Sequence, residues 1–216
     1  MGQLILLRHG QSQWNLENRF TGWTDVPLSE QGRKDAAASG RALKGMEFDE
    51  AFVSDLARAQ DTLSIVLNAM GHKEIPITKD KALNERHYGD LQGLNKAETV
   101  EKFGEEQVKL WRRSYTVQPP NGESLLDCYH RVIPFFEQHV LPQVYAGKSV
   151  ILAAHGNSLK PIFQYLDHLD EETTAHLEVG LCLPYIYTFD GEKMIKKEVK
   201  EVPEIVATGT ANIHSK

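Results

Sequence analysis

The chain has 216 residues, 41% of them apolar and 25% charged, and a formal net charge of −6. That length and composition suit one globular domain with a sizeable core. The acidic balance argues against nucleic acid as the main partner, which would call for a basic face. It leaves a small polyanion open, because a few arginines in a cleft outweigh charges on a distant surface.

The two cysteines, Cys128 and Cys182, lie far apart with no Cys-x-x-Cys spacing, so the reading expects reduced thiols, no zinc site and a cytoplasmic compartment. No leader with a basic start and an apolar middle is visible, and no apolar run approaches the roughly 18 residues of a membrane span.

In chain order, residues 4–7 form the first apolar run that suits a strand. Ser29 then offers an N-cap to a helix over 30–43. Residues 51–53 read as a second strand, followed by helical spacing over 57–70 that ends at Gly71 as a C′ glycine. From 83 to 121 the rhythm breaks into polar sequence with short helices at 96–103 and 105–111. Residues 124–140 carry a one-sided stripe of Leu125, Tyr129, Val132, Ile133, Phe136 and Val140 at helical spacing. A strand at 150–154, a helix at 157–166 and a strand at 185–189 follow. Strands that alternate with helices predict an α/β fold: three layers, with a mostly parallel central sheet and helices on both faces. The whole chain, 1–216, reads as a single domain with a helical insertion at about 83–121 and an irregular tail from about 202.

Three of these strands end in a polar cluster: Arg8-His9-Gly10 after the first, Ser54 to Arg58 after the second, His155-Gly156-Asn157 after the third. In an open α/β sheet, ligands bind at the carboxyl ends of strands, where helix N-termini offer free N–H groups to anions. Each piece alone has a bland reading: a structural histidine, a surface ion-pair arginine, a turn glycine. Two His-Gly pairs in parallel settings point to phosphate chemistry. Neutral imidazole is a competent nucleophile near pH 7, and arginines give permanently charged, bidentate contacts to phosphate.

The run Arg8-His9-Gly10-Gln11-Ser12 resembles the phosphohistidine signature of the histidine phosphatase superfamily. It is extended by Gln13-Trp14-Asn15, by Phe20-Thr21-Gly22-Trp23, and by the long run from Leu83 to Gly93 that contains Glu85-Arg86-His87-Tyr88. Trp111-Arg112-Arg113 and Ala154-His155-Gly156-Asn157 complete the set. Over roughly residues 3–190 these runs are similar to the cofactor-dependent phosphoglycerate mutase family in its short form.

The resemblance implies interconversion of 3-phosphoglycerate and 2-phosphoglycerate by a ping-pong route through phospho-His9, primed by 2,3-bisphosphoglycerate and needing no metal. It implies His9 as nucleophile, Arg8, Arg58 and His155 around the moving phosphoryl group, and Glu85 as general acid/base. Asn15, Thr21, Gly22, Gly156 and Asn157 would bond the phosphates. Lys96, Arg112 and Arg113 would take the far end of the substrate, and Tyr88 would line the pocket. A supporting role in the phosphate-binding surface extends to Gly10, Gln11, Ser12, Gln13, Trp14, Arg86 and His87. Small-molecule phosphoglycerates are the expected partners, with the choice between monomer and small homo-oligomer open.

The chain departs from the family pattern in two places. Leu181-Cys182-Leu183-Pro184 stands where the family has Thr-Gly-x-Pro, and the tail differs; in such mutases the tail can cover the site and limit water, so a poorer cover would raise hydrolysis and give some phosphatase activity. The rivals are a phosphohistidine phosphatase, a bisphosphoglycerate mutase or phosphatase, and a binding protein that has kept only the fold.

Overall fold

Apolar runs bounded by polar clusters become strands covered on both faces, and these form the middle of one sheet. The computed structural model describes residues 1–71 and 74–206. Its six strands are β1 (Gly2–Arg8), β2 (Glu50–Val53), β3 (Ile77–Lys79), β4 (Ser149–Ala154), β5 (Pro184–Asp190) and β6 (Lys193–Val199), in the spatial order β3-β2-β4-β1-β5-β6. β3, β2, β4 and β1 pair in parallel, and β5 alone runs against the rest, pairing antiparallel with both β1 and β6. Leu4 to Leu7 and Val150 to Ala154 are completely buried.

The helices are α1 (Gln13–Leu16), α2 (Glu30–Ala42), α3 (Ala57–Met70), α4 (Lys96–Phe103), α5 (Glu105–Arg113), α6 (Leu125–Phe135), α7 (Leu141–Tyr145), α8 (Gly156–Asp167), α9 (Glu171–His176) and α10 (Pro203–Val206). α2 packs on α3 and α10; α8 packs on α6 and α9. Ser29 caps α2 by accepting from Gly32 N, and Gly71 closes α3 in the left-handed conformation at φ 71°, as its missing Cβ permits. A Cβ on Gly10 would sit 2.4 Å from Gly32 O, so this pair of glycines lets the end of β1 touch the start of α2.

Two expectations need correction. The stripe over 124–140 is not one α-helix: α6 ends at Phe135, residues 136–140 form a π turn, and α7 follows. Pro142, at the start of α7, has no N–H to give the carbonyl of Gln138 and its ring crowds that oxygen, and the π turn that contains Gln138 absorbs the misfit. The tail does not become irregular at 202, because Val202 and Ile205 are buried and residues 203–206 form α10. The rest of the expected tail lies outside the described residues. In the stretch 83–121, α4 and α5 form, and Phe20, Leu91, Val108 and Trp111 make a small core of their own. The cleft opens between that core and the carboxyl ends of β1 and β4.

Candidate active site

Sheet register builds the inner end of the cleft. Arg8 of β1 pairs with Ala154 of β4, so the next residues, His9 and His155, stand side by side with ring centroids 4.9 Å apart. His9 N donates to Ala154 O at 3.0 Å, and β2 brings Ser54 Oγ to 2.7 Å from His155 Nε2.

Both rings are buried, His9 with 2% exposure and His155 with none. Burial, then the positive charges of Arg58 and Arg8, push the His9 pKa well below its usual value. Burial, Arg58 and His9 do the same to His155. Both rings are therefore neutral at pH 7. His9 Nδ1 lies 2.6 Å from Gly10 O. A carbonyl can only accept, so Nδ1 carries the proton and Nε2 keeps its lone pair.

Two arginines face these rings. Arg8 is held by Val179 O at 2.7 Å. Arg58, with 1% exposure, is held by Gly22 O at 2.7 Å and Thr24 O at 3.1 Å. Burial lowers the Arg58 pKa to about 10, which leaves it charged at pH 7. Arg8 Nε, Arg58 Nε and Thr21 Oγ1 are buried with no hydrogen-bond partner. Buried donors left open in this way fit an anion that would complete them.

Glu85 is placed from three sides. Its Oε1 accepts from Arg86 N at 2.9 Å and from Asn157 N at 3.0 Å. Its backbone oxygen accepts from Trp23 Nε1 at 2.5 Å. Arg131, which is ion-paired with Glu123 at 2.8 Å, donates to Ala82 O and Asn84 O and so fixes the loop beneath. One carboxylate oxygen is thus engaged and Oε2 is left for the cleft. The Tyr88 hydroxyl accepts from Arg86 Nη2 at 3.0 Å and from Asn157 Nδ2 at 3.3 Å.

The cleft is open to solvent, and the space among its walls, open solvent included, is about 780 Å³. Of the residues that the sequence singled out, Arg8, His9, Asn15, Thr21, Gly22, Arg58, Glu85, Tyr88, Lys96, Arg112, Arg113, Gly156 and Asn157 line it. His155 stands directly behind, against His9. The others support the wall. Gly10 meets α2, and Gln11 Oε1 accepts from the Ser29 hydroxyl. Ser12 caps α1, while Gln13 donates to Glu17. Trp14 lies against Gly93, His87 has its ring on Trp23, and Arg86 is buried on Tyr88 and on the backbone of Arg112.

Sequence reasoning missed Arg19, Lys160 and Glu178 in the lining, and the part played by Ser54. Lys160 had a readable signal, since it lies four residues after Gly156 and therefore on the same helix face. Among the described residues, Arg8, Arg19, Arg58, Lys96, Arg112, Arg113 and Lys160 line the cleft with two carboxylates, Glu85 and Glu178. An acidic protein thus holds a cationic cleft, with Arg8 and Arg58 beside the histidines and Lys96, Arg112 and Arg113 brought by the insertion as an outer group, near enough that the charge of Arg8 also bears on Lys96. Among the described residues, no three His, Cys, Asp or Glu side chains gather as metal ligands would.

Comparison with known proteins gives a consistent picture. A sequence profile of the histidine phosphatase superfamily (branch 1) matches residues 4–201. A 2,3-bisphosphoglycerate-dependent phosphoglycerate mutase 2 from Gloeobacter violaceus is 47% identical over 219 residues, covering 99% of this chain and 100% of that protein. A 2,3-bisphosphoglycerate-dependent phosphoglycerate mutase from Beijerinckia indica is 51% identical over 201 residues, covering 92% of this chain and 96% of that protein. Among solved structures, a mycobacterial glucosyl-3-phosphoglycerate phosphatase superposes with a TM-score of 0.77 at 27% identity, over 92% of this chain and 96% of that one.

Proposed function

Because the chain belongs to the histidine phosphatase superfamily, we propose that its cleft catalyses the interconversion of 3-phosphoglycerate and 2-phosphoglycerate as a 2,3-bisphosphoglycerate-dependent mutase. The observation that carries the proposal is the tautomer of His9: Nδ1 is committed to Gly10 O at 2.6 Å, and Nε2 keeps its lone pair in a cleft lined by seven cationic side chains.

His9 Nε2 attacks phosphorus, the N–P bond forms, and the P–O bond to the departing alcohol oxygen breaks. Glu85 Oε2 gives that oxygen a proton, and in the reverse sense takes the proton from the attacking hydroxyl. Arg8 and Arg58 neutralise the charge on the equatorial oxygens, and His155, buried beside His9, adds its ring to the same group. The N-terminus of α8 directs its positive end there as well. At the other end Lys96, Arg112 and Arg113 hold the carboxylate or the phosphate that is not transferred. 2,3-Bisphosphoglycerate, when bound, supplies the phosphoryl group that primes His9, and the two cationic clusters with their open buried donors suit its two phosphates.

The reading places the enzyme in the cytoplasm; no described helix is long and apolar enough to cross a membrane. A phosphatase would need only the inner cluster, so the outer one favours a ligand with anions at both ends. The deciding experiment follows 3-phosphoglycerate to 2-phosphoglycerate with and without a trace of 2,3-bisphosphoglycerate, with released phosphate measured alongside. Fast interconversion that depends on the trace and is lost in His9→Ala is expected. Phosphate release without interconversion would make water the acceptor and the phosphatase reading correct.

A further inference from the structure

Residues 175–180 run along one wall of the cleft, with their backbone fastened at three points. Ala175 O accepts from Lys160 Nζ at 2.8 Å, Val179 O accepts from Arg8 Nη1 at 2.7 Å, and Gly180 N donates to the Tyr185 hydroxyl at 3.0 Å. Between these fastenings Glu178 turns its side chain to Arg113, with Oε1 2.6 Å from Nη1. Arg113 is one of the outer cations, so a carboxylate of the protein itself stands on a group that the ligand's far anion would take.

We infer that Glu178 is a specificity-determining residue that competes with the ligand for Arg113. The inference rests on the phosphoglycerate reading given above. The backbone on both sides is pinned, but the Glu178 side chain is 70% exposed, so it can leave Arg113 by rotation alone, with no loop movement. An ion pair this open to water is weak. A carboxylate or phosphate brought in by a ligand that is anchored at its other end displaces it easily, because that second contact forms within one molecule. A ligand whose far end is neutral cannot replace the lost pair and gains nothing from Arg113. The protein's own acid thus sets a threshold for anionic ends.

The test is calorimetric titration of the dephosphorylated enzyme with 3-phosphoglycerate, and with glycerol 3-phosphate, whose far end is a neutral alcohol. Glu178→Gln keeps the side chain's shape and removes its charge. The variant should bind 3-phosphoglycerate about two- to fivefold tighter than wild type, the range for an exposed pair, and glycerol 3-phosphate no differently. In an Arg113→Gln background the same substitution should change neither affinity. Equal or weaker binding of 3-phosphoglycerate by Glu178→Gln, or an equal gain for glycerol 3-phosphate, overturns the inference while the mutase reading stands. Wild type that does not bind 3-phosphoglycerate overturns both.

Discussion

At the inner end of the cleft, His9 and His155 extend from paired strands and are nearly or fully sealed from water. At the outer end, Lys96, Arg112 and Arg113 come from two short helices of the insertion, and Arg113 already holds a partner that can leave. The inner end has its geometry set before any ligand arrives, which suits bond making and breaking, where small displacements are costly. The outer end can exchange partners, which suits a site that must accept either a carboxylate or a phosphate.

The sharpest way to break this division is to strike each end separately. Glu85→Gln keeps the hydrogen bonds to Oε1 but removes the acid/base. Its kcat should fall about 10²- to 10⁴-fold with little change in KM. Arg112→Ala removes an outer cation whose backbone oxygen, not its side chain, braces Arg86. Here KM for 3-phosphoglycerate should rise roughly 10- to 100-fold, as for a lost charge-assisted bond, with the smaller effect on kcat. Steady-state kinetics on both variants decides it: an Arg112→Ala enzyme damaged mainly in kcat would mean that the two ends act as one unit.

A pH profile sharpens the same comparison. Burial, then the charge of Arg112, lowers Lys96 to about 8, and burial, then Arg113, lowers Lys160 to about 8. A bound anion favours the charged form of each lysine and so raises its pKa. Below about pH 8 the ammonium groups are already charged and binding is strongest. Above it binding must take up protons, so KM should climb by up to about tenfold per pH unit for each lysine involved. The inner end should be silent in this window, because both histidines lie well below their usual pKa and a phosphate ester has its second pKa near 6. Lys96→Arg, whose guanidinium stays charged, should flatten the rise. A KM that is level from pH 7 to 9.5 in wild type would show that neither lysine's charge supports the ligand.

How far the sequence could be read follows the same physical line. Strands buried on both faces, such as residues 4–7 and 150–154, announce themselves as unbroken apolar runs. β3 and β6 sit at the sheet edges with every residue exposed, so no apolar pattern marks them. The inner site was legible because His-Gly pairs follow strands directly. Glu178 was not, since its meaning depends on an arginine 65 residues earlier in the chain. Arg131 was hidden inside an apolar helix stripe, because what it holds, the carbonyls of Ala82 and Asn84, is 47 to 49 residues away.

Cys182 carries the smallest expected effect. It stands where the related family has glycine, and its φ is 54°, in the left-handed region. A side chain there costs about 1–2 kcal/mol, which Cys182→Gly would recover. Against this, the cysteine is fully buried. Losing its CH₂ and thiol gives back about 1.5 kcal/mol of burial, and glycine's looser unfolded chain takes roughly 0.5–1 kcal/mol more. The terms largely cancel, so the variant should be less stable by about 1.5 kcal/mol or less, a Tm change of roughly 3–6 °C at most for a chain of this size. The bonds that matter to the site come from the backbone: Cys182 N donates to Arg8 O at 3.0 Å, and Cys182 O accepts from the Ser39 hydroxyl. Glycine keeps both, so kcat and KM should stay within twofold. A thermal melt that drops by 8 °C or more would show that the thiol fills space that glycine cannot give up. A change in kinetics without one would show that the side chain itself helps to hold Arg8 in place.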